Sequence, residues 1–175
     1  MQEIYDLRET INNRNPLVRF FFRWKFKKAV KFANLKQDDL ILDFGCGAKY
    51  LKSILKRFNY IGYDLDSDQT EIDDYAKLKP DVIFAIDIFE HIEKEKIKNI
   101  IRNFKKMNPN LRLITIIPNE TWFWSFSRFM LGMPPHKEDH ITKIKDILRI
   151  LNQEMIQTKR FRFFFVSYLF KHTCK

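Results

Sequence analysis

The stretch Leu40–Tyr50 has the sequence Leu-Ile-Leu-Asp-Phe-Gly-Cys-Gly-Ala-Lys-Tyr, and it decides the predicted fold. Three apolar residues lead through an acidic residue into two glycines, and apolar residues then recur at helical spacing. This order predicts a buried strand over Leu40–Phe44, a tight turn and a helix over Tyr50–Arg57, the first unit of an open α/β sheet. Glycine in such a turn permits positive φ and lets a ligand approach the backbone.

A second carboxylate follows at the distance expected for the next strand. The run Tyr60–Asp64 is apolar up to its final acidic residue. A carboxylate at the end of the second strand is placed to accept hydrogen bonds from the hydroxyls of a ribose. Asp66 is an alternative for that role. Together the two strand ends predict a site for a ribose-bearing cofactor.

The rest of the chain continues this alternation of helices and strands. The segment Leu65–Pro80 is too short for a further helix and strand, so we expect one short helix near Thr70–Lys77 and a short or missing third strand. The other predicted elements are helix Leu17–Asn34, strand Asp81–Ile86, helix Glu93–Met107, strand Leu111–Ile117, helix Ile141–Leu151 and two strands within Met155–His172 that break near Lys159–Phe163. The predicted fold is α/β and Rossmann-like, with a mostly parallel twisted sheet, helices on both faces and a C-terminal antiparallel strand pair.

Length and composition predict one domain over residues 1–175. The chain is 45% apolar and 31% charged, which is ordinary for a globular protein. Its two cysteines are far apart and unpatterned, which favours a reducing compartment. No apolar stretch is long enough to span a bilayer. We therefore expect a cytoplasmic location, with peripheral attachment to a membrane as an open alternative.

The net charge of +10 is concentrated near the start of the chain, where the segment 14–36 holds eight Lys or Arg residues and no acid. It coincides with the predicted helix 17–34, in which basic residues lie beside Phe20 and Trp24. Such a surface suits a polyanion, either RNA or an anionic lipid surface. The alternatives are that the charge serves solubility and that the aromatic residues pack inside the protein.

Residues 119–140 are predicted to form an aromatic lid or acceptor wall. Between Glu120 and Gly132 the sequence is dominated by Trp, Phe, Met and Leu, so a helix there would be apolar nearly all round. A concave site lined by aromatic residues with a few polar groups suits a small or amphiphilic acceptor.

These motifs, taken in order, resemble those of the class I S-adenosylmethionine-dependent methyltransferases, in particular a small-molecule subgroup with a Glu-His motif. The resemblance extends over nearly the whole chain. It rests on five motifs: Leu42–Gly47, Gly62–Asp64, Asp81–Ile86 followed by Glu90–Ile92, Pro118–Asn119 and His140–Thr142. It implies S-adenosylmethionine as the cofactor.

The resemblance also implies roles for individual residues. Gly45 and Gly47, with Cys46 between them, would let the backbone approach the methionine part of the cofactor. Asp43 would lie near its amino group. The remaining cofactor residues implied are Asp64 and Leu65 at the ribose, and Ile86 and Asp87 at the adenine or methionine end. The sequence departs from the family pattern at Lys49, where a third glycine is common.

Methyl transfer from a sulfonium is an in-line displacement that depends mainly on positioning. A general base is needed only if the acceptor must lose a proton first. The candidates for this role are His140, His136 and Glu120, with His91 as a further one. The histidines give a mild preference for oxygen as the acceptor atom.

Two alternatives remain open. Asp87, Glu90, His91 and His140 resemble the metal ligands of metal-dependent RNA 2′-O-methyltransferases, although Glu90 and His91 also fit a structural role beside the next helix. The other alternative is a methyltransferase fold that serves as a non-catalytic binding or scaffolding protein. Lys49 and the short segment before Asp81 would support it.

Overall fold

The computed structural model describes residues 14–119, 140–164 and 166–175, which build one six-stranded sheet. In spatial order the strands are β2-β1-β3-β4-β6-β5; the first four are parallel, and β6 runs antiparallel to both of its neighbours. The strands are β1 (Leu40–Phe44), β2 (Asn59–Tyr63), β3 (Val82–Ile86), β4 (Arg112–Pro118), β5 (Met155–Phe163) and β6 (Ser167–Cys174). The predicted parallel sheet with a C-terminal antiparallel pair is confirmed.

Within the described residues, four α-helices cover the two faces of this sheet: α1 (Pro16–Ala33), α2 (Tyr50–Ile54), α3 (Lys94–Met107) and α4 (Ile144–Glu154). Alternate residues of the strands point to opposite faces, so Ile41 packs with α1 and α2 while Leu42 packs with α3 and α4. Helices on both faces are thus confirmed. In the described part of the chain, no helix combines the length and apolar character needed to cross a membrane.

Local signals fix the ends of α1. The Asn15 side chain accepts a hydrogen bond of 3.0 Å from the Leu17 amide, and Pro16 occupies the first helical position. Asn34 ends the helix in the left-handed conformation, with φ of 53°. The helix therefore begins and ends within one residue of the predicted bounds 17–34.

No strand lies between β2 and β3, in agreement with the expectation from the length of this segment. Residues 64–81 are all described and contain no strand, only a short 3-10 helix at Tyr75–Lys77. Glu71 instead satisfies the outer edge of β2. Its amide donates to the Gly62 carbonyl at 2.8 Å, and its side chain accepts from the Gly62 amide at 2.9 Å. Glu71 thus makes, at Gly62, the hydrogen bonds that a neighbouring strand would have supplied.

Four predicted elements have wrong bounds. Helix α4 spans Ile144–Glu154 rather than Ile141–Leu151. Helix α2 ends at Ile54 rather than Arg57, and the helix expected near Thr70–Lys77 is a single 3-10 turn. Strand β5 continues through the predicted break at 159–163 and has a bulge earlier, between Gln157 and Lys159. The chain reverses after Phe163, with Phe164 at φ of 50°. No glycine or proline marks this turn, so its place carries no sequence signal.

Glu71→Ala should destabilise the fold, because it leaves the buried Gly62 amide without its acceptor. We expect the free energy of unfolding to fall by about 1–3 kcal/mol in chemical denaturation. Glu71→Gln keeps an oxygen acceptor and should lose less. Asp73→Ala, two residues along the same segment and also exposed, is the matched control and should have little effect. Equal stability of the Glu71→Ala and control variants would contradict the edge role.

Candidate active site

The predicted site residues meet at one edge of the sheet, because the carboxyl ends of β1, β2, β3 and β4 are aligned by their parallel pairing. The glycine turn follows β1, Asp64 follows β2, Asp87 follows β3 and Asn119 follows β4. We call this the carboxyl edge. It is the position at which open α/β sheets bind ligands.

Three backbone amides of the glycine turn donate hydrogen bonds to the end of β2, two to a carbonyl and one to a side chain. The amides of Gly45 and Cys46 both donate to the Tyr63 carbonyl, at 2.8 and 3.1 Å, and the Gly47 amide donates to Asp64 Oδ2 at 2.8 Å. Gly45 has φ of 78° and Gly47 has φ of 44°. Both conformations favour glycine, which explains the residue type at each position.

The two glycines differ in their surroundings. A Cβ on Gly45 would lie 2.8 Å from Ile88 Cδ1, so this glycine also permits close packing. A Cβ on Gly47 would meet no atom of the described residues within 4 Å. The backbone at Gly47 therefore borders open space, which a ligand can enter.

Asp64 is positioned by the turn it supports. Its Oδ2 accepts from Gly47, and its Oδ1 accepts from the Asp66 amide at 3.1 Å. Each carboxylate oxygen retains a second lone pair for a ligand hydroxyl. Asp66 itself is exposed and accepts from the Asp68 amide at 3.0 Å, so its carboxylate caps its own loop. Leu65, between the two acids, is 92% exposed.

Asp43 is buried at the carboxyl end of β1. The Tyr60 hydroxyl donates to its Oδ2 at 2.8 Å. Burial raises the pKa of Asp43 to about 7; the negative charges of Asp64 and Glu71 act in the same direction, and the Tyr60 hydrogen bond opposes them. This carboxyl group thus takes up and releases a proton near neutral pH.

The Cys46 side chain serves packing. Its Sγ lies 3.4 Å from the Gln69 carbonyl, and it would be 3.0 Å from a Cβ on Gly62. Burial, together with the nearby carboxylates, raises the pKa of the Cys46 thiol to about 12. The thiol is therefore uncharged, and only the backbone of this residue faces the turn.

Lys49 has a backbone conformation that favours glycine, the residue that is common at this position in the family that the chain resembles. Its φ is 54°, in the left-handed region, and it immediately precedes α2. A non-glycine residue there costs of order 1 kcal/mol. Its ammonium lies 3.8 Å from Glu71 Oε1, which also pairs with Lys52 at 2.5 Å. The cation thus lies beside the outer edge of β2 with a counter-charge.

Asp87 is paired with a lysine from the first helix. Lys25 is 3% exposed, and its Nζ lies 2.5 Å from Asp87 Oδ2. The other oxygen, Oδ1, is buried and has no hydrogen-bond partner in the described part of the chain. Asp87 has φ of 50°, and its amide donates to the Ile116 carbonyl at 3.0 Å. The neighbouring candidate Ile86 is buried in the sheet.

Lys25 is the residue that sequence reasoning missed. It was only counted among the eight basic residues of segment 14–36, yet its position is on the buried stripe, seven residues after Val18 and four before Ala29. A lysine at a core position requires a buried carboxylate partner. The position of Lys25 on the buried stripe was the one signal in the sequence. It did not identify the partner, which lies 62 residues further along the chain.

Glu90, His91 and His140 form a second group at the carboxyl edge. The Glu90 carbonyl accepts from the amides of Ile141 and Thr142, at 2.7 and 3.1 Å, which fixes His140 beside His91. The two imidazole rings are 4.9 Å apart and edge-on. One possible ligand atom from each of Glu90, His91 and His140 lies within 4.8 Å of the others.

This group contains three of the four residues in the alternative metal set. Asp87 is not part of it, because its carboxylate pairs with Lys25. The general-base candidates Glu120 and His136 lie outside the described residues, as does the predicted lid apart from Asn119 and His140. His140 is half-buried.

Asp43→Asn should make the stability of the protein less dependent on pH. Because the folded-state pKa is raised from 3.8 to about 7, native Asp43 keeps a proton that the unfolded chain has already lost, so stability falls as pH rises through this window. Asparagine does not ionise. Its advantage over aspartate should widen by about 2–3 kcal/mol between pH 5 and pH 8.

Denaturant titrations of both proteins at the two pH values measure this difference. Asp73→Asn, at an exposed carboxylate, controls for the loss of one negative charge. A constant difference between Asp43→Asn and the native protein would show that Asp43 does not titrate in this range.

A family model described as a methyltransferase domain matches residues 19–163. The matched residues include the glycine turn, Asp43, Asp64 and the group formed by Glu90, His91 and His140. No curated protein sequence matches the chain significantly.

Several solved structures are similar over almost their whole length. A protein of Pyrococcus horikoshii gives a TM-score of 0.69 at 14% identity, over 94% of this chain and 93% of that one. Magnesium protoporphyrin IX methyltransferase of Synechocystis, with bound SAH, gives 0.66 at 17% identity, over 97% and 93%. The N-methyltransferase NodS of Bradyrhizobium japonicum, in complex with S-adenosyl-L-homocysteine (SAH), gives 0.65 at 13% identity, over 96% of both chains. At these identities the likeness concerns the fold.

Proposed function

Since the chain belongs to the methyltransferase domain family, we propose that it moves a methyl group from S-adenosylmethionine to a small or amphiphilic acceptor. The observation that carries the cofactor assignment is the glycine turn, which borders open space at Gly47 and holds Asp64 beside it. Two enzymes of similar fold hold SAH, the product that remains when this cofactor has given up its methyl group.

The residues present fit this cofactor. The backbone at Gly45–Gly47 can approach the methionine part, and Asp64 keeps lone pairs for the ribose hydroxyls. Asp43, once ionised, offers a buried counter-charge for an amino group. Asp87 Oδ1 is a buried acceptor that a donor group of a ligand could satisfy. Leu65 and Ile86 complete the proposed contacts, with Cys46 contributing its backbone.

The cofactor supplies a methyl group on a positively charged sulfur, which makes that carbon open to direct displacement. The work of the protein is then to hold the acceptor in line with it and to exclude water. The His91–His140 pair lies at the carboxyl edge, and an imidazole can accept the proton of a hydroxyl acceptor. We assign this role to His140 and keep Glu120 and His136 as further candidates. Oxygen is the proposed acceptor atom.

Asp64→Ala should weaken cofactor binding about 30-fold or more, because it removes the acceptor of the ribose hydroxyls and loosens the Gly47 backbone. Isothermal titration calorimetry with S-adenosylmethionine measures the loss. The matched control is Asp66→Ala, whose carboxylate caps only its own loop and which should bind normally. Equal affinity of the native protein and Asp64→Ala would contradict the ribose assignment.

A failure of the native protein to bind at millimolar cofactor would favour the scaffolding alternative. Thermal unfolding of each variant without ligand shows whether a loss of binding reflects a loss of fold.

His140→Ala should slow methyl transfer by about 10²–10⁴-fold while leaving cofactor affinity unchanged, because a general base contributes to the chemical step alone. The substrate is sought by incubating the protein with methyl-labelled cofactor and a total cell extract, which is then separated into organic-soluble, protein and RNA fractions. We expect label in the organic-soluble fraction.

His140→Asn is the matched variant, since it keeps hydrogen-bonding capacity but is not a base. Full activity of His140→Asn would reduce His140 to a positioning residue. Label in the RNA fraction that a chelator abolishes would instead support the metal-dependent alternative built on Glu90, His91 and His140.

A further inference from the structure

We propose that helix α1 and the β5–β6 turn form a docking surface for anionic lipid membranes, and that this surface begins at the carboxyl edge and extends along α1. It consists of exposed apolar residues Leu17, Phe20 and Phe164, and the basic residues Arg19, Arg23, Lys27 and Lys31. We call it the α1–turn surface. The docking surface itself is independent of the proposed function. Only the conclusion about the methyl acceptor, drawn below, rests on the proposed function.

The position of the surface follows from two contacts of α1. At its C-terminal end, the Ala33 carbonyl accepts from Arg112 and Lys171, beside the amino end of β4. In its middle, Lys25 reaches Asp87, just beyond the carboxyl end of β3. The helix therefore runs opposite to the parallel strands, and its first turns lie toward the carboxyl edge.

The β5–β6 turn lies at the same edge. Ser167, the first residue of β6, pairs with Pro118, the last residue of β4. Phe164 precedes it and contacts Trp24 of α1, with ring centroids 5.9 Å apart. The turn and the helix thus form one continuous surface.

Large apolar side chains protrude from this surface. Leu17 is 65% exposed, Phe20 is 70% exposed and Phe164 is 66% exposed. Phe20 also borders a shallow groove whose other lining residues are Pro16, Arg19, Arg23, Trp24 and Lys27. Exposed apolar residues within a basic surround are the arrangement by which peripheral proteins enter the boundary between headgroups and acyl chains.

The charge of α1 selects an anionic partner. Arg19, Arg23, Lys27 and Lys31 recur every fourth residue along one side of the helix, and the segment 14–36 contains no acid. Such a row is attracted to phospholipid headgroups of negative charge, and salt weakens the attraction.

The side chains favour lipid over RNA. Binding to single-stranded RNA relies on aromatic faces on which bases stack. Trp24, the largest ring here, already packs edge-to-face with Phe161 and Phe163. Leu17, which offers no face for stacking, is among the most exposed apolar residues. An acyl boundary accommodates both aliphatic and aromatic side chains.

Docking through this surface would turn the carboxyl edge, with Gly47 and Asp64, toward the bilayer. An acceptor with an apolar part could then be methylated without leaving the membrane. The proposed class of acceptor is therefore a membrane-resident amphiphile.

The test is co-sedimentation of the full chain with vesicles of phosphatidylcholine alone and with 30% phosphatidylglycerol added. We expect at least tenfold tighter binding to the anionic vesicles, which 0.5 M salt weakens. Arg19→Glu/Arg23→Glu should reduce this binding at least tenfold. The matched control is Lys77→Glu/Lys79→Glu, which makes the same charge change at exposed lysines before the amino end of β3.

Phe20→Ser/Phe164→Ser tests the apolar contribution and should also reduce binding at least tenfold. Ile156→Ser, at a half-exposed apolar residue of β5, is its control and should bind normally. All altered residues are on the surface, and circular dichroism verifies the fold of each variant.

Absence of vesicle binding, or an equal loss in the controls, would overturn the proposal. So would tighter binding of a short single-stranded RNA than of anionic vesicles with the same dependence on Arg19 and Arg23. Calorimetry with S-adenosylmethionine is measured separately on the same samples. Vesicle binding without cofactor binding would reject the proposed function and keep the docking surface, and the reverse result would do the opposite.

Discussion

The hydrogen bonds between the glycine turn and the end of β2 are the constraint on which the rest of the site depends. One carbonyl, that of Tyr63, accepts from two successive amides, and Asp64 accepts from the third residue of the turn. Two successive amides can reach one carbonyl only if the chain curls tightly, which the positive φ of Gly45 permits. The ends of β1 and β2 are thereby locked together, and Asp64 is held beside the open backbone of Gly47.

The absence of a strand between β2 and β3 alters the electrostatics around the glycine turn. In its absence Glu71 pairs with the edge of β2, which brings a second carboxylate near Asp43. The cations Lys49 and Lys52 compensate on the outer side. Partial burial opposes ionisation of Glu71, but the Lys52 ammonium and the Gly62 amide outweigh it and lower the pKa of Glu71. Among the described residues, the carboxyl group of Asp43 has only the Tyr60 hydroxyl as a hydrogen-bond partner, and its pKa stays raised.

The lysine at position 49, where a glycine is common, is thus linked to the absence of a strand between β2 and β3. A glycine at position 49 would adopt the same left-handed conformation at less cost, but it would leave Glu71 with one cation fewer. The sequence showed both departures, and only the structure shows their connection.

What the sequence predicted well depends on short-range patterns. The four parallel strands β1–β4 are apolar runs, and the turn at Gly45–Gly47 has its own residue signature, so their predicted positions agree with the structure within one residue. Contacts between distant parts of the chain were not predicted from such patterns. The ion pair between Lys25 and Asp87 joins residues that are 62 positions apart in the sequence. Glu71 binds the backbone of Gly62 at the open edge of β2, and no residue pattern indicates this contact. The small-molecule subgroup, the catalytic residues and the single domain over 1–175 remain predictions.

The ion pair between Lys25 and Asp87 gives α1 its place between the core and the carboxyl edge. A lysine that is 3% exposed loses its hydration, so only a close counter-charge makes its burial tolerable. Sliding α1 by one turn would separate the pair and bury an uncompensated charge, which costs several kcal/mol. The pair therefore fixes which residues of α1 protrude at the carboxyl edge. Since Asp87 directly follows β3, this ion pair helps to hold the outward basic side of the helix and the proposed methyl-transfer site in one geometry.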